Sequence, residues 1–167
     1  MIHPDEVPAD MGKDCGLDLF CDFEFDDITS AQPPDAKGVY VIRIRKPGMP
    51  PDDIIRNIKP HISRLGWESA ERYLLDRIGR IQKIGDCPII YIGSAGTNPG
   101  SRHTLAGRYR DLVSRHTIQF PIWALLYFGW ELDLGWKTAE NPKELEKDLK
   151  ERYETRQRRI PPALVVR

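Results

Sequence analysis

The sequence has few cysteines, no long apolar run and no net charge. Its three cysteines, Cys15, Cys21 and Cys87, are an odd number and lack the close paired spacing of a zinc site, so we expect reduced thiols and no structural metal. No apolar stretch approaches the ~20 residues of a membrane span, and the first residues lack the basic start and apolar core of a signal peptide. These absences predict a soluble, cytoplasmic protein of one domain with no membrane partner.

The zero net charge hides an uneven distribution. Residues 1–35 contain ten acidic residues and one basic residue, a net charge of −9, so the rest of the chain carries +9. We therefore expect an acidic arm over residues 1–35 and a basic folded domain over residues 36–167. Because the local field attracts phosphates more than the total charge does, a nucleic-acid partner is compatible with this pattern. The arm is equally compatible with a solvated tail, with contact to a basic protein partner, or with a DNA mimic that covers the basic site.

Three segments after the arm have the composition of strands. Residues 38–45 and 89–92 are β-branched and bounded by glycine or proline, and residues 119–134 form the most apolar stretch of the chain. The last of these is interpreted as a buried central strand. Within the arm, residues 17–25 show an alternating pattern, which indicates a short extra strand packed at the domain edge.

Helical periodicity dominates the remaining segments. Residues 46–87 lie between the first two strands and are predicted to be a helical insertion, with one helix interrupted near Pro60 and a second over residues 70–81. A basic helix is predicted to begin near Thr104, and a last helix to cover residues 142–156. The chain is thus predicted to contain both strands and helices.

The connection between the second strand and the basic helix is suited to binding an anion. Glycine, asparagine and proline within residues 96–100 predict a polar loop, and a helix N-terminus offers unpaired N–H groups to phosphate. Arg102, Arg108 and Arg110 stand close by in the sequence. An ordinary structural crossover is the alternative interpretation of this stretch.

Short motifs follow one another along the chain in a characteristic order, on the predicted strand, strand, helix and helix. They are Gly38-Val39-Tyr40, Tyr91-Ile92-Gly93, Leu105-x-x-Arg108 and Leu145-Glu146-x-x-Leu149, followed by Pro161-Pro162. In this order they resemble the GIY-YIG nuclease family, over roughly residues 37–164. The resemblance implies an α+β domain with a small antiparallel three-stranded sheet flanked by helices, here with a helical insertion between the first two strands.

The resemblance also implies a site for hydrolysing a DNA phosphodiester. Tyr40 and Tyr91 would line it, Arg108 would bind the scissile phosphate, and Glu146 would hold one Mg²⁺ or Mn²⁺ ion. Either a phenolate or a nearby histidine would take a proton from water. Arginine and glutamate are chemically suited to these roles. A guanidinium forms two hydrogen bonds with phosphate oxygens, and Mg²⁺ commonly binds through only one or two carboxylates. The further residues expected to contact phosphate or DNA are Gly93, Arg102, His103, Arg110 and Arg115.

The sequence departs from the family at three points. Fifty residues separate Tyr40 from Tyr91, so residues 46–87 are either a DNA-gripping insertion or an element for packing or dimerisation. Leu112 stands where a histidine or tyrosine is common, and His116 or His103 would have to replace that group. The asparagine that often follows the last proline pair is absent.

Two main hypotheses of function follow. The first is a metal-dependent endonuclease that acts on duplex or branched DNA. The second is a catalytically weakened domain of the same fold that binds DNA, another protein or a second copy of itself. A third hypothesis is an interaction domain that uses the acidic arm. Each candidate residue also has an ordinary interpretation: sheet packing for Tyr40 and Tyr91, a surface position for Arg108, and pairing with Lys143 or Lys150 for Glu146.

Overall fold

A computed structural model describes residues 17–64, 68–84, 87–96, 103–114, 119–157 and 161–165. Over these ranges the chain folds into an antiparallel sheet flanked by helices, which confirms the predicted α+β class. The strands are β1 (Glu24–Asp27), β2 (Gly38–Lys46), β3 (Ile89–Ala95) and β4 (Glu131–Thr138). The helices are α1 (Pro51–Arg64), α2 (Glu68–Ile84), α3 (Leu105–Ser114), α4 (Gln119–Tyr127) and α5 (Pro142–Arg156), and a 3-10 helix covers Leu17–Phe20.

The sheet has four strands in the order β1-β4-β2-β3, so the prediction of three strands is wrong. The additional edge strand, β1, comes from the acidic arm and pairs with β4. The alternating pattern over residues 17–25 predicted a strand there, but its first half is the 3-10 helix. Phe20 and Phe23 are both buried and pack edge to face at 5.2 Å between ring centroids, which an alternating strand would not allow.

The prediction of a strand over residues 119–134 is also wrong, because its first part is helix α4. Ile122 and Leu125 bury one face of α4, and Pro121 lies in the first turn, where the missing N–H costs no helical hydrogen bond. Gly129 then reverses the chain at φ +85°, and β4 begins at Glu131. When nearly every residue of a segment is apolar, the spacing of apolar and polar residues cannot distinguish a helix from a strand.

The other helices lie where the periodicity predicted them, with one difference. Helix α1 continues through Pro60 without the predicted interruption. None of the helices in the described ranges combines the length and apolarity that crossing a membrane requires.

Each face of the sheet has its own core. Tyr40 and Ile42 of β2 face a core built by α1, α2, α3 and α4. Val39 and Val41 face the opposite way, onto a smaller core built by α5 and the 3-10 helix. The elements that carry Arg108 and Glu146 therefore pack on opposite faces of the sheet.

The described part of the acidic arm is tied to the domain by ion pairs. Asp18 pairs with Arg156 of α5, and Asp22 pairs with Lys137 of β4. Arg45 of β2 binds Asp27 of β1 at 2.6 Å, and hydrogen bonds from Thr29 and from Arg45 lower the pKa of Asp27 to about 2. These contacts make residues 17–35 part of the folded unit.

Asp133 on the central strand β4 is the buried member of this charged cluster. Its carboxylate is 5% exposed and accepts hydrogen bonds from Arg43 at 3.0 Å and Arg45 at 2.9 Å. Loss of the Asp133 carboxylate would remove the carboxylate partner of Arg43 and would leave Arg45 with only Asp27 and Glu131.

We expect Asp133→Asn to lower the free energy of unfolding by about 2 kcal/mol, less than for a fully buried pair because the arginines are about one-third exposed. Urea unfolding measures this change. Asp53→Asn is the matched control, since Asp53 pairs with Arg56 on the surface and its loss should cost about 0.5 kcal/mol or less. Equal losses in the two variants would contradict the structural importance of Asp133.

Candidate functional site

Two tyrosines stack above one glycine at the edge of the sheet. Tyr40 of β2 lies opposite Gly93 of β3, and Tyr91 precedes that glycine by two residues on the same strand. The two rings are 5.7 Å apart between centroids and 28° from parallel. A Cβ at Gly93 would lie 2.7 Å from the Tyr40 ring and 2.7 Å from the Tyr91 ring. The Gly-x-Tyr and Tyr-Ile-Gly motifs thus form one packing unit.

A β-bulge next to Tyr91 turns Ile90 to the face of the tyrosine pair. Ile42 pairs with Tyr91 and Arg43 pairs with Ile89, so Ile90 is an extra residue on β3. Ile90 and Tyr91 consequently both face the larger core, while Ile89 and Ile92 face the smaller one. Without the bulge, the alternation of the strand would send one of these two side chains to the other face.

Burial keeps both phenols protonated. Burial raises the pKa of Tyr40 well above its usual value, and the neighbouring Tyr91 raises it further. The pKa of Tyr91 is also raised by burial, but a hydrogen bond from Tyr40 opposes that shift. The positive charge of Arg108 lowers both pKa values by less than burial raises them. Tyr91 is therefore the phenol whose ionised form the site supports better.

Arg108 comes from the first turns of α3, on the same face of the sheet as the tyrosines. Thr104 begins this helix by accepting a hydrogen bond from the Gly107 N–H at 3.1 Å, and the Leu105 N–H donates to the Ala36 carbonyl at 2.8 Å. The Arg108 side chain is 31% exposed, and its nearest carboxylate is Asp111 at 3.8 Å. Its Nε is buried and has no hydrogen-bond partner in the described part of the chain.

Glu146 lies across the edge strand from the tyrosines. Its helix, α5, packs on the opposite face of the sheet, where it contacts β3, the edge strand of the sheet within the described ranges. The Ser94 hydroxyl of β3 donates a hydrogen bond to Glu146, and the Lys150 ammonium pairs with the same carboxylate. The negative charge of Glu146 contributes to the raised pKa of both Tyr40 and Tyr91. All four candidate side chains thus share one electrostatic environment.

The remaining candidates are distributed unevenly around this centre. His103 is exposed, with Nδ1 3.9 Å from the Asp111 carboxylate beside Arg108, and Arg110 is exposed on α3. Gly93 is the glycine beneath the rings. Arg102, Arg115 and His116 lie outside the described residues.

Ser94 and Tyr73 belong to this region but were not candidates in the sequence, and Lys150 was named there only as an ordinary partner of Glu146. Alternation along β3 places Ser94 on the face opposite the tyrosines, so the strand pattern could have predicted the face on which Ser94 lies. The pairing of Glu146 with Lys150 was the ordinary interpretation of that glutamate, and it is present. Tyr73 of α2 lies near enough to contribute to the raised pKa of Tyr91, although its spacing in the sequence indicated only a core position.

The donor atoms suit a hydrated cation better than a fully coordinated one. In the described ranges no three or more histidine, cysteine or acidic side chains cluster as a metal site. Mg²⁺ commonly keeps several waters and binds through one or two carboxylates, and Glu146 with the Ser94 hydroxyl matches that demand. Lys150 would have to leave the carboxylate first.

Comparisons of the chain with models of protein families, with curated proteins and with solved structures found no match. The chemistry of the site is therefore inferred from its own residues.

We expect Gly93→Ala to push the two rings apart, because its methyl group would overlap both. The free energy of unfolding should fall by about 1–3 kcal/mol, the usual cost of overpacking, and near-UV circular dichroism of the tyrosines should change. Gly79→Ala is the control, since a Cβ there meets nothing within 4 Å and should be neutral or stabilising. Unchanged stability and tyrosine signal in Gly93→Ala would contradict the stacked arrangement.

Proposed function

We propose that this protein is a metal-dependent endonuclease that hydrolyses DNA phosphodiester bonds with a site of the GIY-YIG type. The observation that carries the proposal is the shared environment of Tyr40, Tyr91, Arg108 and Glu146, which come from four different elements. Arg108 and Glu146 both act electrostatically on the two phenols, and Glu146 also pairs with Lys150. A phosphate and a hydrated cation would use all four.

Arg108 binds the scissile phosphate in this proposal. A guanidinium forms two parallel hydrogen bonds with phosphate oxygens, and these strengthen as negative charge builds up during attack by water. Asp111, at 3.8 Å, is beyond hydrogen-bond distance and does not saturate the Arg108 donors. The partial exposure of the side chain leaves it accessible to a strand.

Glu146 and Ser94 hold the cation in this proposal. A bound Mg²⁺ or Mn²⁺ ion would act as a Lewis acid on a phosphoryl oxygen. In its absence Lys150 balances the charge of Glu146. A change of partner between ammonium and cation is reasonable because Lys150 is on the same helix, has a flexible side chain and is 29% exposed.

The tyrosine pair orients the attacking water. Both phenols are protonated near neutral pH, since burial raises each pKa above its usual value of about 10. Tyr91 is the more exposed of the two, and because a hydroxyl oxygen has two acceptor lone pairs, it can accept from Tyr40 and from a water. Because both phenols are protonated, His103, exposed beside the Arg108 helix, is the group that takes the proton from the water in this proposal.

Basic side chains flank the proposed centre on both sides of the strand edge. Lys143, Lys147 and Lys150 share a shallow groove with Glu146 along α5, together with two acidic residues, Glu151 and Glu154. Arg110 extends from α3 on the other side. Such groups neutralise backbone phosphates without reading bases, so we expect DNA binding to weaken steeply with salt.

A second candidate function is DNA binding without turnover. The pairing of Glu146 with Lys150 favours it, because the lysine occupies the position that a cation would need. The two candidates differ in one result, which is cleavage that requires both a divalent ion and the Glu146 carboxylate.

We expect the wild-type protein to nick supercoiled plasmid in Mg²⁺ or Mn²⁺ and Glu146→Gln to be slower by roughly 100-fold or more, since one group that stabilises transition-state charge is lost. Agarose-gel conversion of supercoiled to open-circular plasmid measures the rate, and EDTA should abolish it. Glu144→Gln, an exposed change on the same helix, is the matched control and should retain the wild-type rate.

Salt-sensitive binding with no cleavage in any metal would favour the second candidate. Equal traces of nicking by the wild type and Glu146→Gln would mark a contaminant and reject the nuclease proposal.

A further inference from the structure

Three buried polar atoms have no hydrogen-bond partner in the part of the chain that the structure describes. They are the Tyr73 hydroxyl, the Arg77 Nε and the Arg108 Nε. Buried donors without partners are uncommon in native proteins because their desolvation is not compensated. Tyr73 and Arg108 are close enough to Tyr91 to affect its pKa, and Arg77 is the neighbour of Tyr73 on α2, so we looked for a ligand that Tyr73 and Arg77 would share.

Helix α2 is anchored beside the tyrosine pair. Leu74, Ile78 and Ile81 of α2 lie in the same core as Tyr40. Arg77 donates to the Val165 carbonyl at 3.0 Å, and the adjacent Leu164 N–H donates to the Ile90 carbonyl at 2.8 Å. Arg77 is thus connected by two hydrogen bonds to the residue that precedes Tyr91.

Tyr73 and Arg77 act as a pair one turn apart on this helix. The Arg77 guanidinium lies 5.0 Å from the centre of the Tyr73 ring. Arg77 is only 6% exposed, and its nearest carboxylate, Asp76, is 3.7 Å away and binds Arg80 at 2.9 Å. A buried guanidinium with no carboxylate at hydrogen-bond distance favours an anion as its partner.

We propose that Tyr73 and Arg77 of α2 form a second anion subsite, which binds a phosphate oxygen of the nucleic-acid strand held at the tyrosine pair. The identity of that ligand as a nucleic-acid strand rests on the proposed function. The Nε–H group of Arg77 can only donate, and the Tyr73 hydroxyl can donate as well. A ligand that they share must therefore present acceptor oxygens. A phosphodiester presents two such oxygens, and the segment between β2 and β3 then contributes directly to substrate binding.

The test is fluorescence anisotropy of a labelled DNA duplex with the full-length protein, titrated over a range of NaCl concentrations with Ca²⁺ in place of Mg²⁺. Tyr73→Phe removes one hydroxyl and keeps the ring beneath Arg77. Arg77→Gln removes the charge. Tyr109→Phe is the matched control for the first variant, because the Tyr109 hydroxyl already donates to the Ile28 carbonyl at 2.8 Å. Arg80→Gln is the control for the second, since Arg80 is paired with Asp76.

We expect Tyr73→Phe to weaken binding roughly three- to tenfold, the effect of one lost hydrogen bond. Arg77→Gln should lower the slope of log K against log salt by about one, the change expected for one phosphate contact. Both controls should bind as the wild type does. Wild-type affinity in Tyr73→Phe together with an unchanged salt slope in Arg77→Gln would overturn the subsite. If Arg77→Gln does not fold, Tyr73→Phe alone decides.

A second measurement separates this inference from the proposed function. Inorganic phosphate should raise the Tm of the wild type but not of Tyr73→Phe. DNA cleavage that requires Glu146, combined with identical DNA binding and phosphate shifts in wild type and Tyr73→Phe, would reject the subsite and leave the nuclease proposal standing. A phosphate shift that requires Tyr73, without any DNA binding or cleavage, would support the subsite and reject the nuclease proposal.

Discussion

Two phenol rings occupy the space above Gly93, and the arrangement of the site depends on that contact. The rings fit because Gly93 has no Cβ and because regular alternation along β3 puts Tyr91 on the same face as Gly93. Once the pair is fixed, α3 carries a guanidinium on the same face, and α5 carries a carboxylate on the opposite face whose charge still raises the pKa of both phenols. The chemistry proposed for the protein requires both groups to act on one phosphate at the edge strand β3.

The position of β3 at the edge of the sheet leaves it open to contacts from α5 and from the C-terminal segment. Its free side is contacted by the Ser94–Glu146 hydrogen bond near one end and by the Leu164–Ile90 hydrogen bond near the other. The opposite edge of the sheet is β1, tied down by the arm's ion pairs and by Asp133 through Arg45. Ion pairs thus hold β1 at one edge of the sheet. At the other edge, the proposed function requires Glu146 to exchange Lys150 for a cation.

Much of the fold was predictable, and the failures have physical causes. The strands at Tyr40 and Tyr91 and the helix of Glu146 follow from periodicity and from flanking glycine and proline. Helix α4 did not, because an apolar run buried in a core loses the alternation that identifies a strand or a helix. Within the site, the approach of Tyr40 to Tyr91 follows from two neighbouring strands, but the approach of Glu146 depends on packing at the β3 edge. The lack of a hydrogen-bond partner for the buried Tyr73 hydroxyl could not be predicted, because in the sequence Tyr73 is only one of several apolar positions on a helix.

The central claim is that side chains from opposite faces of the sheet act as one site, and a double-mutant cycle between Tyr91→Phe and Glu146→Gln tests it most directly. The measured quantity is the single-turnover rate of plasmid nicking in Mn²⁺ for the wild type, both single variants and the double variant. If the two groups act together, the double variant will lose less than the sum of the single losses, with a coupling of about 1 kcal/mol or more. Losses that add to within about 0.3 kcal/mol would mean that Tyr91 and Glu146 work independently, and the single site described here would not exist.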